Sequence, residues 1–180
     1  MDSDLQKRLE EAKDWLQKEY SAIRTGQASP LLLDSIRVES YGSMMPINQV
    51  GTVGVEDART LRVSVWDNSQ ISAIEQAIRD ADLGVSVTVD SSGLRVIFPE
   101  LTSERREQLL KLSKSKLEDA RITVRSIRDD EMKAIEKAEK EGDLSEDEKF
   151  TKKEAVQKAI DAINKSLEEL CSKKEEELKK

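Results

Sequence analysis

Apolar residues first recur at helical spacing: Leu5, Leu9, Ala12, Leu16 and Ile23, with Trp15 and Tyr20 flanking the stripe. This predicts a helix that stops at Gly26, a suitable C-terminal cap, with Pro30 preventing its continuation. The pattern then changes character. Residues 36–40, 61–66 and 85–89 alternate apolar with polar, and 94–98 is another short strand, closed by Pro99. Among them, Ile71, Ile74, Ala77 and Ile78 mark one short helix. Helical spacing returns after Thr102, which can cap the following turn. Leu109, Leu110, Leu117, Ala120, Val124 and Ile127 form a stripe that Ala134, Ile135 and Ala138 extend with some drift, up to Gly142. The last helix opens at Ser145, whose Ser-x-x-Glu148 is a capping box. Its Val156, Ile160, Ile163, Leu167 and Leu170 keep the 4-3-4-3 spacing of a coiled-coil-like seam.

Helices this long must bury their stripes against one another, so three of them make a bundle. The fold class is α+β: a long three-helix bundle, residues 1–29 and 103–180, with a small α/β domain inserted over 31–101. The two connections, near 29–31 and 99–103, run through Ser29, Pro30, Leu31, Pro99, Leu101 and Thr102. They form either a hinge or a rigid joint stiffened by two prolines.

Composition narrows the chemistry. At 180 residues, with 3% aromatics and 37% charged residues, elongated helices rather than a thick core are the natural reading. There is no histidine and a single cysteine, Cys171, which excludes an intrachain disulfide and suits a reducing cytosol. The commonest general base and metal ligand is thereby missing. No glycine-rich phosphate loop or nucleophile elbow occurs. No catalytic site, metal or cofactor is expected. No apolar run reaches membrane length, and the start, Met-Asp-Ser-Asp-Leu, is too acidic for a signal peptide. A cytoplasmic protein is expected. Trp66 reads as small-domain core, Met44-Met45 as a turn packed on its sheet, Cys171 as inert, and 172–180 as a fraying helix end.

Charge supplies the functional clue. The chain carries −7, yet residues 104–128 hold eight Lys/Arg against four Asp/Glu. Arg121, Arg125 and Arg128, at i, i+4 and i+7, share one helix face; Lys114 joins it and Arg106 lies near its edge. A local polyanion contact is one reading. The other is ion pairing within the helix, for which only Glu118 and Asp119 lie nearby, enough for at most one good pair.

Several stretches carry a resemblance: Arg24-Thr25-Gly26-Gln27-Ala28-Ser29-Pro30, Val55-Glu56-Asp57-Ala58-Arg59-Thr60-Leu61, Asp82-Leu83-Gly84, Leu101-Thr102-Ser103-Glu104-Arg105-Arg106 and Val124-Arg125-Ser126-Ile127-Arg128-Asp129-Asp130. In this order the chain resembles the bacterial ribosome recycling factor family over essentially its whole length. The resemblance implies an L-shaped, tRNA-sized protein, expected to be a monomer, with a bundle and a β/α/β domain joined by a flexible hinge. It implies binding of the post-termination ribosome through large-subunit rRNA, and splitting into subunits by elongation factor G with GTP. The factor itself would hydrolyse nothing. Family arginines important for ribosome binding correspond to Arg106, Arg125 and Arg128, with Arg121 on the same face and Arg24 in the first motif. Gln27 and Asp129 stand where the family pattern has arginine, and neither is carried over as a binding residue. The competing function is a coiled-coil co-chaperone or adaptor, in which the arginine stripe is incidental.

Overall fold

The computed structural model describes residues 3–180, so Met1 and Asp2 of the acidic start lie outside the described residues. The chain divides into two compact units. One comprises the chain up to Tyr20 with Glu107–Lys179; the other is Ser21–Arg106.

The first unit is helical. Helix α1 spans Ser3–Ser21 and buries Leu5, Leu9, Ala12, Leu16 and Tyr20. It stops five residues before Gly26, so Ile23 is buried outside the helix in the other unit. Tyr20, which the sequence leaves as either bundle packing or amphipathic cover, is bundle packing: its ring is buried and its hydroxyl donates to the Ser113 carbonyl at 2.8 Å. The long helix α4, Ser103–Lys140, is capped by Thr102, whose Oγ1 accepts from Arg105 N at 3.1 Å. At about 1.5 Å per residue it is roughly 57 Å long. Its C-terminus is a Schellman closure: Gly142, at φ +83°, donates to Glu139 O at 3.0 Å, and Asp143 donates to Ala138 O at 2.9 Å.

Helix α5, Glu146–Lys179, begins with the capping box, Ser145 N donating to Glu148 Oε2 at 2.8 Å. It buries Val156, Ile160, Ile163 and Leu167, as the seam requires, and then Cys171 and Leu178. The tail is therefore docked rather than frayed. Leu178 is 1% exposed, and burial pushes the Lys174 ammonium below its usual range.

The second unit wraps a sheet around one helix. A single helical turn, α2, Leu31–Asp34, leads the chain into it. Strands β1, Arg37–Ser40, and β2, Ser43–Pro46, form a hairpin over Tyr41-Gly42, both with positive φ, as a two-residue primed turn demands. Strands β3, Gly51–Asp57, β4, Thr60–Val65, β5, Ser86–Asp90, and β6, Gly93–Ile97, form an antiparallel sheet in the order β3-β4-β6-β5. Helix α3, Ile71–Asp80, carries the chain from β4 to β5, two parallel strands separated by β6, so the motif is a split β-α-β. Gly93 is required where β6 crosses β4, because a Cβ there would sit 2.0 Å from the Val63 carbonyl oxygen.

The sheet's inner face, including Leu61, Val63, Leu94 and Val96, packs on Ile74, Ile78 and Phe98. Strands β2 and β3 have no counterpart in the sequence reading; short length and the glycines at 51 and 54 disguise their alternation. Met44 and Met45 lie on β2 rather than in a turn, with Met44 exposed and Met45 packed on the core. Trp66, expected in the core of the small domain, lies on its surface instead. Since Leu61, Val63 and Val65 point inward, Trp66 must point outward, and it is 68% exposed.

Candidate nucleic-acid interface

In the helical unit, α4 presents its basic residues beside its packing stripe. Ala120, Val124 and Ile127 are buried, Arg121 and Arg128 half-buried, and Arg125 exposed. Stem packing of this kind orients a guanidinium while leaving its head in water.

The partners differ from either alternative read in the sequence. Arg121 is paired with Glu168 of α5 through Nη2. Arg128 donates from Nε to Gln157 Oε1 at 2.9 Å, also on α5, and lies 3.6 Å from its neighbour Asp129. Lys114 lies 3.9 Å from Glu175. The Arg125 side chain has neither an ion pair nor a hydrogen-bond partner among the described residues. Glu118 and Asp119 supply none of these contacts. Apart from Asp129, the acids that pair with the stripe lie on the neighbouring helix, forty or more residues away in sequence. Their signal is nonetheless visible in the chain: Asp161, Glu168 and Glu175 share the seven-residue spacing of Lys114, Arg121 and Arg128.

Acids just past the stripe are also engaged. Arg8 of α1 donates to Asp130 at 2.8 Å and lies 3.5 Å from Glu131. Their charge is partly offset before it reaches Arg125 and Arg128.

The other two candidate arginines belong to the sheet unit. Arg24 is committed there. Its Nη1 donates to Gly84 O at 3.3 Å, its Nη2 donates to Pro99 O, and its guanidinium lies 5.7 Å from the Phe98 ring centroid. Burial, and then the nearby Arg105 charge, pull its pKa below the usual arginine value. Arg106 is half-buried, with its Nε shielded and unpartnered. Of the hinge candidates, Ser29, Pro30 and Leu31 enter the hydrogen-bonded turn that opens α2. Leu32 N donates to Ser29 O at 3.2 Å and Leu33 N to Pro30 O at 3.0 Å. Pro99 holds Arg24, Leu101 is buried, and Thr102 caps α4.

Among the described residues, no group of three or more His, Cys, Asp or Glu is placed to hold a metal ion. No helix among them is long and apolar enough to cross a membrane. The arrangement suits electrostatic recognition of a phosphate backbone, since arginine forks match phosphate oxygens and a helix holds them at fixed pitch.

The family model for ribosome recycling factor matches residues 16–178. A ribosome-recycling factor of Rhodospirillum centenum is 44% identical over 173 residues, covering 96% of this chain and 94% of its own. One from Chlorobium phaeobacteroides is 46% identical over 162 residues, covering 90% and 87%. A solution structure of ribosome recycling factor superposes with a TM-score of 0.79 at 36% identity, over 99% of this chain and 98% of that one. A second similar structure has a TM-score of 0.67 at 36% identity over 98% and 95%. It is of the T. thermophilus ribosome recycling factor and E. coli elongation factor G bound to the E. coli post-termination complex.

Proposed function

From the premise that this chain belongs to the ribosome recycling factor family, we propose how its residues serve ribosome recycling. It binds the post-termination ribosome and, together with elongation factor G and GTP, separates the subunits for a new round of initiation. Its work is done in the cytoplasm, by binding and motion rather than by chemistry of its own. The observation that carries the reading is the basic face of α4, 114–128, in a chain of net charge −7. A uniformly acidic surface would repel rRNA, whereas a local cationic stripe on a rigid helix gives an oriented contact.

Within that face the residues rank by how freely they can turn to phosphate. Arg125 needs to release nothing. Arg128 gives up a neutral amide, and Arg121 must leave a carboxylate. Arg106 contributes charge from the first turn of α4. Arg24, tied to two carbonyls and a ring, positions the backbone of the sheet unit instead of touching rRNA. The hinge is placed at the unit boundaries, between Tyr20 and Ser21 and between Arg106 and Glu107, so Ser29, Pro30, Leu31, Pro99, Leu101 and Thr102 all fall within the sheet unit.

The test is a subunit-splitting assay with purified protein, elongation factor G and GTP, omitting each component in turn. Splitting should need all three. Arg125→Glu and Arg128→Glu should each lower affinity for large subunits at least tenfold, as charge reversal at a phosphate contact implies, and lessen its salt dependence. Unchanged binding of Arg125→Glu, at unchanged helicity, refutes the stripe as the rRNA contact; unchanged binding of Arg128→Glu alone removes only that residue from it.

A further inference from the structure

The cations of the α4 stripe are matched by a row on α5 whose spacing mirrors theirs. Lys114, Arg121 and Arg128 lie seven residues apart; so do Glu175, Glu168 and Asp161, running the other way along the antiparallel neighbour. Lys114 faces Glu175 at 3.9 Å, and Arg121 is bonded to Glu168. At the third rung Gln157 relays: its Oε1 accepts from Arg128 at 2.9 Å and its Nε2 donates to Asp161 at 2.8 Å. Arg125 alone stands outside the row.

We propose that this acidic row sets the affinity of the rRNA contact, with Glu168 competing against a backbone phosphate for the Arg121 guanidinium. The proposal rests on the stripe being the rRNA-binding face. Glu168 holds the Arg121 fork through Nη2, so a phosphate seeking a bidentate grip on the edge that includes Nη2 competes with it there. Glu168 is 59% exposed at its side chain, so its charge also faces an approaching polyanion directly. Ribosome binding at this position is then an exchange of carboxylate for phosphate. Each exchanged pair weakens the net contact and speeds departure. A factor that must leave after every round requires such departure, and a row of unmasked arginines on a polyanion would oppose it.

The test compares full-length Glu168→Gln, Arg121→Gln and the double variant for binding to purified large ribosomal subunits, with Arg125→Glu as the control for the face itself. Glu168→Gln should lower Kd roughly two- to fivefold, the size of one exposed ion pair, chiefly through slower dissociation. Its salt dependence should steepen, by up to about one in the log–log slope. The double variant should gain less over Arg121→Gln than Glu168→Gln gains over the parent, since only direct repulsion is then relieved and no guanidinium remains to be released. Should Arg125→Glu weaken binding while Glu168→Gln leaves it unchanged or weaker, the competitor role is overturned and the interface stands; Glu168 is then an orienting partner for Arg121. Should Arg125→Glu have no effect, the interface itself falls, and the competitor with it. Melting temperature and helicity, expected within error of the parent, separate these outcomes from misfolding.

Discussion

Tyr20 joins two helices through one hydroxyl. Its ring is buried, and its phenol donates to the Ser113 carbonyl, while the fully buried Ser113 donates its own hydroxyl to Leu110 O at 2.9 Å. Burial, and then the neighbouring Cys171 thiol, hold the phenol protonated far beyond its ordinary range. Tyr20→Phe removes a hydrogen bond but no packing, so urea unfolding should show a loss of about 0.5–1.5 kcal/mol. On the sheet, the Arg62 guanidinium holds the Asp90 carboxyl well below the usual carboxylate range, helped by Ser92 N at 2.9 Å. A depressed folded pKa stabilises the fold above the unfolded carboxylate value of about 3.9 and ceases to do so as pH falls through the folded value. Asp90→Asn should therefore be less stable than the parent at pH 7. Urea midpoints of the two should converge as pH drops below about 4, since protonation then removes from the parent what the mutation already lacks.

Among the elements, α4 and α5 show how charge specifies a pairing. Basic residues occupy the middle of α4 and acids its end, where Glu136 and Glu139 meet Lys153 at 2.7 Å and Lys149 at 3.1 Å. Glu168 and Glu175 of α5 answer Arg121 and Lys114 in reverse sign. A parallel arrangement would set the basic start and middle of α4 against Lys149, Lys152, Lys153 and Lys158 of α5, so the pattern favours the antiparallel pairing while each exposed pair adds little stability. Capping contributes more per residue. Ser145→Ala removes the acceptor of Glu148 N and the hydroxyl partner of the Glu148 carboxylate. It should cost about 1 kcal/mol in urea unfolding, and Ser145→Asp should recover most of that.

At the scale of the whole molecule, division into two units makes function depend on what each unit holds fixed. Arg24 draws together three segments of the sheet unit: its own entry segment, the turn at Gly84 and the exit at Pro99. Arg24→Ala should destabilise the sheet unit by about 1–3 kcal/mol, since two carbonyls lose a charged donor. Hydrogen exchange should report faster opening around 82–84 and 98–99, with α4 and α5 unchanged. Under the proposed function, large-subunit binding should survive this variant while splitting slows. Loss of binding comparable to that of Arg125→Glu would instead make Arg24 part of the rRNA contact.

Much of this molecule is legible in the order of its residues. The long helices, the capping box, the helix between strands and the basic face all follow from periodicity, because a helix or strand buries whichever residues its own repeat aligns. Even the exposure of Trp66 is implicit in the parity of Leu61, Val63 and Val65. The partner row on α5 has a visible spacing too, but a spacing acquires meaning only once two helices are known to run antiparallel in one register. That depends on contacts between residues 29 to 61 positions apart in the chain. The burial of Tyr20 and Leu178, the helical turn after Pro30 and the commitment of Arg24 to Gly84, Pro99 and Phe98 are of the same kind. Local sequence determines which face of each element is apolar or charged. Tertiary structure decides which charges are already spent, because pairing is a property of two surfaces and a sequence repeat describes only one.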